Sequence, residues 1–190
     1  MDSTPSSHTP LPTGMTPGTW DLDTAHTEAS FTARHAGITK VRGTVAVTGG
    51  ALTLGDDLES SALSATLDPT TIATGNESRD QHLKSADFFH AEDAPLWTFA
   101  ATGVTRTGDD TYVITGDLTV NGITRSVDLD TEFGGVARDP WGGTRAGAEA
   151  SVTLSRKDFG LTWNVALEAG GVLVSDKVAV TLNVEAVQQA

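Results

Sequence analysis

A chain of 190 residues with 25 acidic and 12 basic side chains suits one domain with a sizeable core. Its formal charge of -13 argues against nucleic acid and anionic membrane surfaces as partners. It has no cysteine, which excludes disulfides, Cys-ligated zinc and thiol catalysis, and no run approaches the ~18 apolar residues of a membrane helix, so no stable membrane insertion is expected.

Residues 1–17 are rich in Ser, Thr and Pro, with Pro5, Pro10, Pro12 and Pro17, and are predicted to be a disordered tail. They contain no apolar stretch of the signal-peptide kind, and the first basic side chain is Arg34, so the expected location is cytoplasmic. The folded domain is predicted to run from 18 to 190. Gly18-Thr19-Trp20 opens it, and Asp21–Gly37 reads as the first strand. Ala29, Phe31, Ala33 and His35 share its inner phase, against Glu28, Ser30, Thr32 and Arg34. A second strand carries Val41, Gly43, Val45 and Val47 in one phase, and Gly49-Gly50 ends it or inserts a bulge. The third sets Leu63, Ala65 and Leu67 against Ser64, Thr66 and Asp68.

Between the third and fourth strands, Thr74–Phe89 reads as a short helix. Thr74, Gly75 and Asn76 supply starting positions, Glu77 sits in the first turn, and Arg79, Leu83 and Ala86 follow at i, i+4, i+7. Phe88 and Phe89 are paired apolar anchors. The fourth strand, Pro95–Thr105, has Trp97, Phe99, Ala101 and Gly103 in phase. The fifth alternates cleanly through Tyr112, Ile114, Gly116, Leu118 and Val120, and Asn121-Gly122 then signals a tight hairpin. Val127, Leu129 and Phe133 face inward on the sixth. On the seventh, Arg145–Ser155, the inner set is Ala146, Ala148, Ala150, Val152 and Leu154, because the opposite phase would bury Glu149. Asn164–Ala169 suggests one helical turn stopped by Gly170-Gly171. Val178, Val180, Leu182, Val184 and Ala186 line the eighth strand.

The pattern predicts an all-β chain, an eight-stranded antiparallel barrel with one short helix. Its inner faces are rich in Ala and Gly, where a solid barrel would need Leu, Ile and Phe. An apolar cavity follows, suited to a linear hydrocarbon. Arg79, Asp80 and His82, with His35, are the candidate polar groups of its mouth.

Several motifs point the same way. Thr74-Gly75-Asn76-x-x-Arg79-Asp80-x-His82-Leu83-x-Ser85-x-Asp87-Phe88-Phe89 closely resembles the signature of the YceI-like family of polyisoprenoid-binding proteins. Asp23-x-x-His26, continuing to Phe31 and His35, is similar to the family's first-strand motif, and Val41-Arg42-Gly43 to its second. Leu118-Thr119-x-x-Gly122-x-Thr124-Arg125 and Arg156-x-Asp158-Phe159-Gly160-Leu161-x-Trp163 match further, although Asn121 stands where other members often carry Lys. The Gly-x-Trp start is similar to that of lipocalins, whose Trp closes the barrel floor.

The resemblance spans Gly18 to Val187. It implies a lipocalin-like barrel that binds a polyisoprenoid or isoprenoid quinone as carrier, store or sequestering protein. The ligand would lie among Phe31, Ala33, His35, Phe88, Phe89, Phe99, Ala101 and Leu118 on one part of the wall. Phe133, Ala146, Ala148, Ala150, Phe159, Leu161 and Trp163 would line the rest.

Enzyme signatures are missing: there is no Gly-x-Ser-x-Gly elbow, His-Glu-x-x-His run, P-loop or dinucleotide fingerprint. His82, Asp87, His90 and Glu92 match no compact metal motif. The expectation is therefore no enzyme, no metal, and no cofactor beyond a bound isoprenoid lipid. Two alternatives stay open: acid–base chemistry on that lipid by His26, His35 and Asp80, and a structural barrel without ligand. The sequence also leaves a homodimer open.

Overall fold

The computed structural model describes residues 8–190. Nine strands and one α-helix run in the order β1 (Gly18–Leu22), β2 (Glu28–His35), β3 (Thr39–Leu54), β4 (Ala62–Ala73), α1 (Glu77–Lys84), β5 (Trp97–Arg106), β6 (Thr111–Val120), β7 (Ile123–Arg138), β8 (Thr144–Ser155) and β9 (Lys177–Gln188), with a 3₁₀ turn at Arg156–Phe159. Every pairing is antiparallel, and the sheet closes on itself. β1 and β2 both pair with β3 and β9, end to end, so they occupy one place in the wall. The result is the expected eight-position barrel.

The first strand is thus not continuous through Asp21–Gly37, as expected, but breaks over residues 23–27. Asp23 folds the chain locally: its carboxylate accepts from Ala25 N at 3.0 Å, and its carbonyl from His26 N at 3.1 Å. Arg145 then holds that carboxylate against β8.

Alternation places the inner faces largely as the periodicity predicts. A bulge between Ala101 and Gly103 flips the phase of β5, so Val104 rather than Gly103 reaches the interior. Similar shifts interrupt β3 near Gly49 and β7 at Phe133–Gly135.

α1 is shorter than the Thr74–Phe89 run. Asn76 caps it, accepting from Arg79 N at 2.9 Å, and Ser85 ends it, leaving Ala86 outside. Asn164–Ala169 is not a helical turn. The Asn164 side chain clamps Val174 instead, donating to its carbonyl and accepting from its N–H, and residues 164–174 fold back as a small hairpin with Ala166 bridged to Val172. Asn121 and Gly122 take positive φ of 52° and 74°, as the hairpin between β6 and β7 requires.

Two glycines shape the interior. Phe31 lies opposite Gly43, where a Cβ would come within 2.5 Å of its ring and 2.8 Å of the Ala73 carbonyl. Gly116 likewise leaves room for the Phe99 ring, and a Cβ there would also lie 2.7 Å from the Ala100 carbonyl. The rings therefore rest against the wall instead of standing in the lumen. Gly116→Ala is expected to overpack this site, costing ~1–3 kcal/mol in urea unfolding and narrowing the interior. An unchanged midpoint would show that the Phe99 ring is free to move aside.

Candidate functional site: an apolar cavity within the barrel

The barrel encloses a cavity of about 410 Å³ whose exposed wall is almost wholly apolar. Along β8 its lining runs from Ala146 to Leu154, about 27 Å at ~3.4 Å per residue. Ala146, Ala148 and Ala150 all line it, as the burial argument over Glu149 requires. Phe31, Ala33, Phe99, Leu118 and Phe133 join them from the wall, and Phe88, Phe89, Phe159 and Leu161 from the α1 end.

Other candidates lie elsewhere. Ala101 packs against the middle of the core without lining the cavity. Trp163 stacks outside it with Phe88 and His82, at ring-centroid distances of 5.2 and 4.7 Å. His35 is an exposed strand-end residue whose backbone bridges to Val174. Arg79 and Asp80 turn back on the start of their own helix. Asp80 accepts from Thr74 N at 2.8 Å and Thr74 Oγ1 at 2.5 Å, while Arg79 Nε donates to Thr74 Oγ1 at 2.7 Å. These two side chains secure the loop into α1. His82 pairs with Asp87 at 2.9 Å.

The two ends of the cavity are built differently. At the α1 end, Phe89 tilts onto Trp97 at 4.7 Å, and Leu83 adds to the same cluster. At the other end, fully buried Trp20 forms the floor with Leu54, Ala146 and Ala186. Leu11 and Met15 pack on that cluster from below, and Pro12 and Met15 line the cavity itself.

Residues 8–17 were expected to belong to a disordered tail, yet they lie across this end as a strap. Thr9 bonds Glu59 through N and Oγ1 at 2.9 and 2.6 Å, and its carbonyl accepts from Leu58 N. Thr16 accepts from Trp20 Nε1 at 3.2 Å and from Gln188 Nε2 at 2.7 Å. The floor leaves apolar surface uncovered, and the strap supplies the apolar side chains that cover it. Residues 1–7 of the expected tail lie outside the described residues.

A reading of apolar positions alone misses Thr131 and Arg156, although Thr131 stands in the inward phase of β7 between Leu129 and Phe133. Thr131 is inward and buried, satisfied by the Leu129 carbonyl at 3.1 Å. Arg156 is the one charged residue of the lining, and its guanidinium is spent on backbone: Nη1 donates to Leu161 O at 2.7 Å and Trp163 O at 2.9 Å, and Nε to Ser175 O at 2.9 Å. Among the described residues the lining contains no His, Asp, Glu or Lys.

Asp23, His26 and Glu185 gather on the outer surface near the floor, close enough to ligate an ion. Arg145 occupies the same space, bonding Asp23 at 2.6 Å, Asp139 at 2.8 Å and Glu185 at 2.5 Å. The cluster reads as a clasp in which one guanidinium gathers three carboxylates, joining the β1–β2 turn, the β7–β8 hairpin and β9. The guanidinium, and secondarily His26, hold the Asp23 carboxyl down at about 2. Arg145 also lowers Asp139. A depressed carboxylate contributes fully above its unfolded value of ~3.9 and is lost as pH falls through the folded one. The melting temperature is therefore expected to drop between about pH 4 and pH 2. Arg145→Met should flatten that part of the profile, and an unchanged slope would remove the clasp as its cause.

Comparison with known proteins agrees with this architecture. The YceI-like domain model matches residues 20–186. Protein YceI of Escherichia coli is 37% identical over 171 residues, covering 89% of this chain and 85% of that protein. A UPF0312 protein of Ectopseudomonas mendocina is 40% identical over 131 residues, 69% of this chain and 65% of its own length. Among solved structures, a Campylobacter jejuni YceI protein superposes with a TM-score of 0.67 at 26% identity, covering 83% of this chain and 90% of that one. A polyisoprenoid binding domain from Saccharophagus degradans shares the fold at 14% identity, TM-score 0.67, covering 90% of this chain and 98% of that one. With a family match across nearly the whole barrel and a relative of this identity, the chain belongs to the YceI-like family.

Proposed function

We propose that this protein binds the hydrocarbon tail of a linear polyisoprenoid or isoprenoid quinone in its barrel, as a carrier, store or sequestering protein and not as an enzyme. The observation that carries this reading is the cavity: long, apolar, and offering no unengaged charge. Such a wall stabilises methylenes by ~0.8 kcal/mol each relative to water. It holds no free charge for a phosphate or carboxylate, only the unpartnered donors of Trp97 Nε1 and Tyr112 Oη, so a charged head belongs at an end. The wall also lacks an acid, a base or a nucleophile–base pair. His26, His35 and Asp80, the candidates for chemistry on a bound lipid, all lie off the lining. The polyisoprenoid binding domain of the same fold adds support for the ligand class.

A bilayer offers the same tail nearly the same environment, so tail burial makes the complex soluble without favouring it over membrane. Selection then rests on shape and on the groups at the cavity's ends. Native mass spectrometry of the purified protein, with extraction of the lipid into organic solvent, tests the reading. The expected result is one stoichiometric isoprenoid adduct, released unaltered on denaturation. Protein that is free of adduct and takes up neither added polyprenol nor quinone would sink it, and a chemically converted lipid would favour the enzyme.

A further inference from the structure

The net charge of -13 conceals an uneven distribution. Of the 12 Lys and Arg residues, only Arg106, Arg138 and Arg145 belong to the floor half; the others lie toward the α1 end. Four of these meet on the outer wall around the β2–β3 hairpin. Arg34 and Lys40 are direct cross-strand partners, and Arg42, opposite Thr32, is the diagonal neighbour on the same face. Ser175 N donates to the Arg34 carbonyl at 3.0 Å, which brings Lys177, the first residue of β9, alongside. All four are exposed.

Like charges placed directly opposite each other cost stability. Here no ion pair among the described residues offsets them, and only Lys177 has a carboxylate, that of Asp176, near enough to feel its charge. The ion pairs among the described residues use His8, His26, His82, His90 and Arg145 as their basic members, and none of these four. The nearest carboxylate along the chain, Asp176, is engaged by Ser155 Oγ at 2.7 Å and by Lys157 N. Wall positions beyond the patch are neutral: Thr32, Thr44, Ala179 and Thr181.

At the hairpin tip between Arg34 and Lys40 stands Ile38, 79% exposed. The adjoining loop, tied on by Ala36 N donating to Leu173 O at 2.7 Å, presents Val172 and Val165, 49% and 46% exposed. We infer that this edge, Ile38, Val165 and Val172 flanked by Arg34, Lys40, Arg42 and Lys177, docks the barrel on the surface of an anionic lipid bilayer. Charge complementarity selects the occupant's sign. The aliphatic tip selects a bilayer over a polyanionic chain, because only the bilayer has an interior to receive it.

The acidic remainder of the molecule does not forbid this contact. Its carboxylates at the floor end, among them Asp56, Asp57, Asp109 and Asp139, are separated from the hairpin by the length of the barrel. Strands of this length measure tens of ångströms at ~3.4 Å per residue, against a screening length of about 8 Å at physiological ionic strength. Glu168 lies in the docking loop and Asp176 at its end, Asp158 is in the 3₁₀ turn, and Glu77, Asp80, Asp87, Glu92 and Asp93 sit on α1 and the turn after it. The barrel is therefore expected to rest tilted, hairpin down. Val174, in the docking loop, and Ala33, in the hairpin, also line the cavity, so docking would bring its end to the lipid.

Flotation of the full chain with vesicles tests the inference without reference to any internal ligand. Vesicles of phosphatidylcholine alone should leave the protein unbound, and those with about a third phosphatidylglycerol should carry it up, reversibly with added salt. The triple change Arg34→Glu, Lys40→Glu, Arg42→Glu should lower partition at least a hundredfold, from ~1 kcal/mol per basic residue at ~1.4 kcal/mol per tenfold. Ile38→Ser should weaken it separately, and Arg138→Glu, at the other end, should not. Should the triple variant misfold by circular dichroism, Ile38→Ser and the salt dependence carry the test. Absence of binding at low salt, or equal binding to both vesicles, overturns the inference. So does equal retention on heparin with Ile38→Ser neutral, which would make the patch a general polyanion site.

Discussion

Replacing Arg156 by leucine is expected to cost about 3–5 kcal/mol and to loosen the whole loop at the α1 end. Arg156 is only 5% exposed, yet no carboxylate bonds it. Burial pushes its pKa down, with Asp176 opposing. Its planar fork instead gathers the carbonyls of Leu161, Trp163 and Ser175, three points on a loop that leaves β8 and returns to β9. Leucine would keep the apolar contacts and orphan those carbonyls, at ~1–3 kcal/mol for each that water fails to reach. Arg156→Lys should rescue little, because a single ammonium cannot span the same fork. Urea unfolding measures the loss, and limited proteolysis over residues 160–176 locates it. A cost below ~1 kcal/mol would mean that the Asn164–Val174 clamp holds the loop by itself.

That arrangement also shows where sequence reasoning reaches and where it stops. Strand phase was legible because a half-buried strand writes its burial every second residue. Ala146, Ala148 and Ala150 were placed inward by nothing more than the cost of burying Glu149. The cavity was legible for the same reason, since small side chains on facing strands cannot fill a lumen of this width. The family motifs added identity, and the family match bears that out.

What periodicity cannot carry is an insertion. At Ala101–Gly103 one extra residue turns the phase, so Val104 points in where Gly103 was expected, and the glycine that permits a bulge does not by itself say that one is present. Nor does periodicity report a side chain whose partners are distant. Arg79 and Asp80 stand in the most recognisable motif of the chain, where a reading of sequence alone makes them polar groups of the mouth. Their partners are the Thr74 backbone and hydroxyl, and their role in this structure is to set the entry into α1. The four exposed basic residues of the docking edge were hidden differently, by a net charge that averages over both ends of the barrel.

The strap over the floor is the clearest case of composition misleading, and its deletion is the second large effect expected. Residues 8–17 have the Pro, Ser and Thr content of a disordered segment, but Leu11, Pro12 and Met15 land on apolar surface that no strand covers. Burying such side chains is worth ~1.5–3 kcal/mol each when complete, and these are half-buried. The entropy of ordering the segment opposes that gain, and the strap adds no strand to the barrel wall, so removing residues 1–17 should change global stability by no more than ~1–2 kcal/mol. Access to the cavity should change far more. Without Pro12 and Met15 the floor end has only Trp20 and its neighbours across it, and Trp20 loses the Thr16 carbonyl that its Nε1 bonds. Exchange of a bound fluorescent polyene lipid is expected to accelerate at least tenfold, which requires only ~1.4 kcal/mol off the barrier. Met15→Asp in the full chain should reproduce much of that acceleration, because the strap must then bury a charge in order to close. Exchange as slow in the truncated protein as in the full chain would show that lipid passes only at the α1 end, with the strap a cover on a floor already sealed by Trp20.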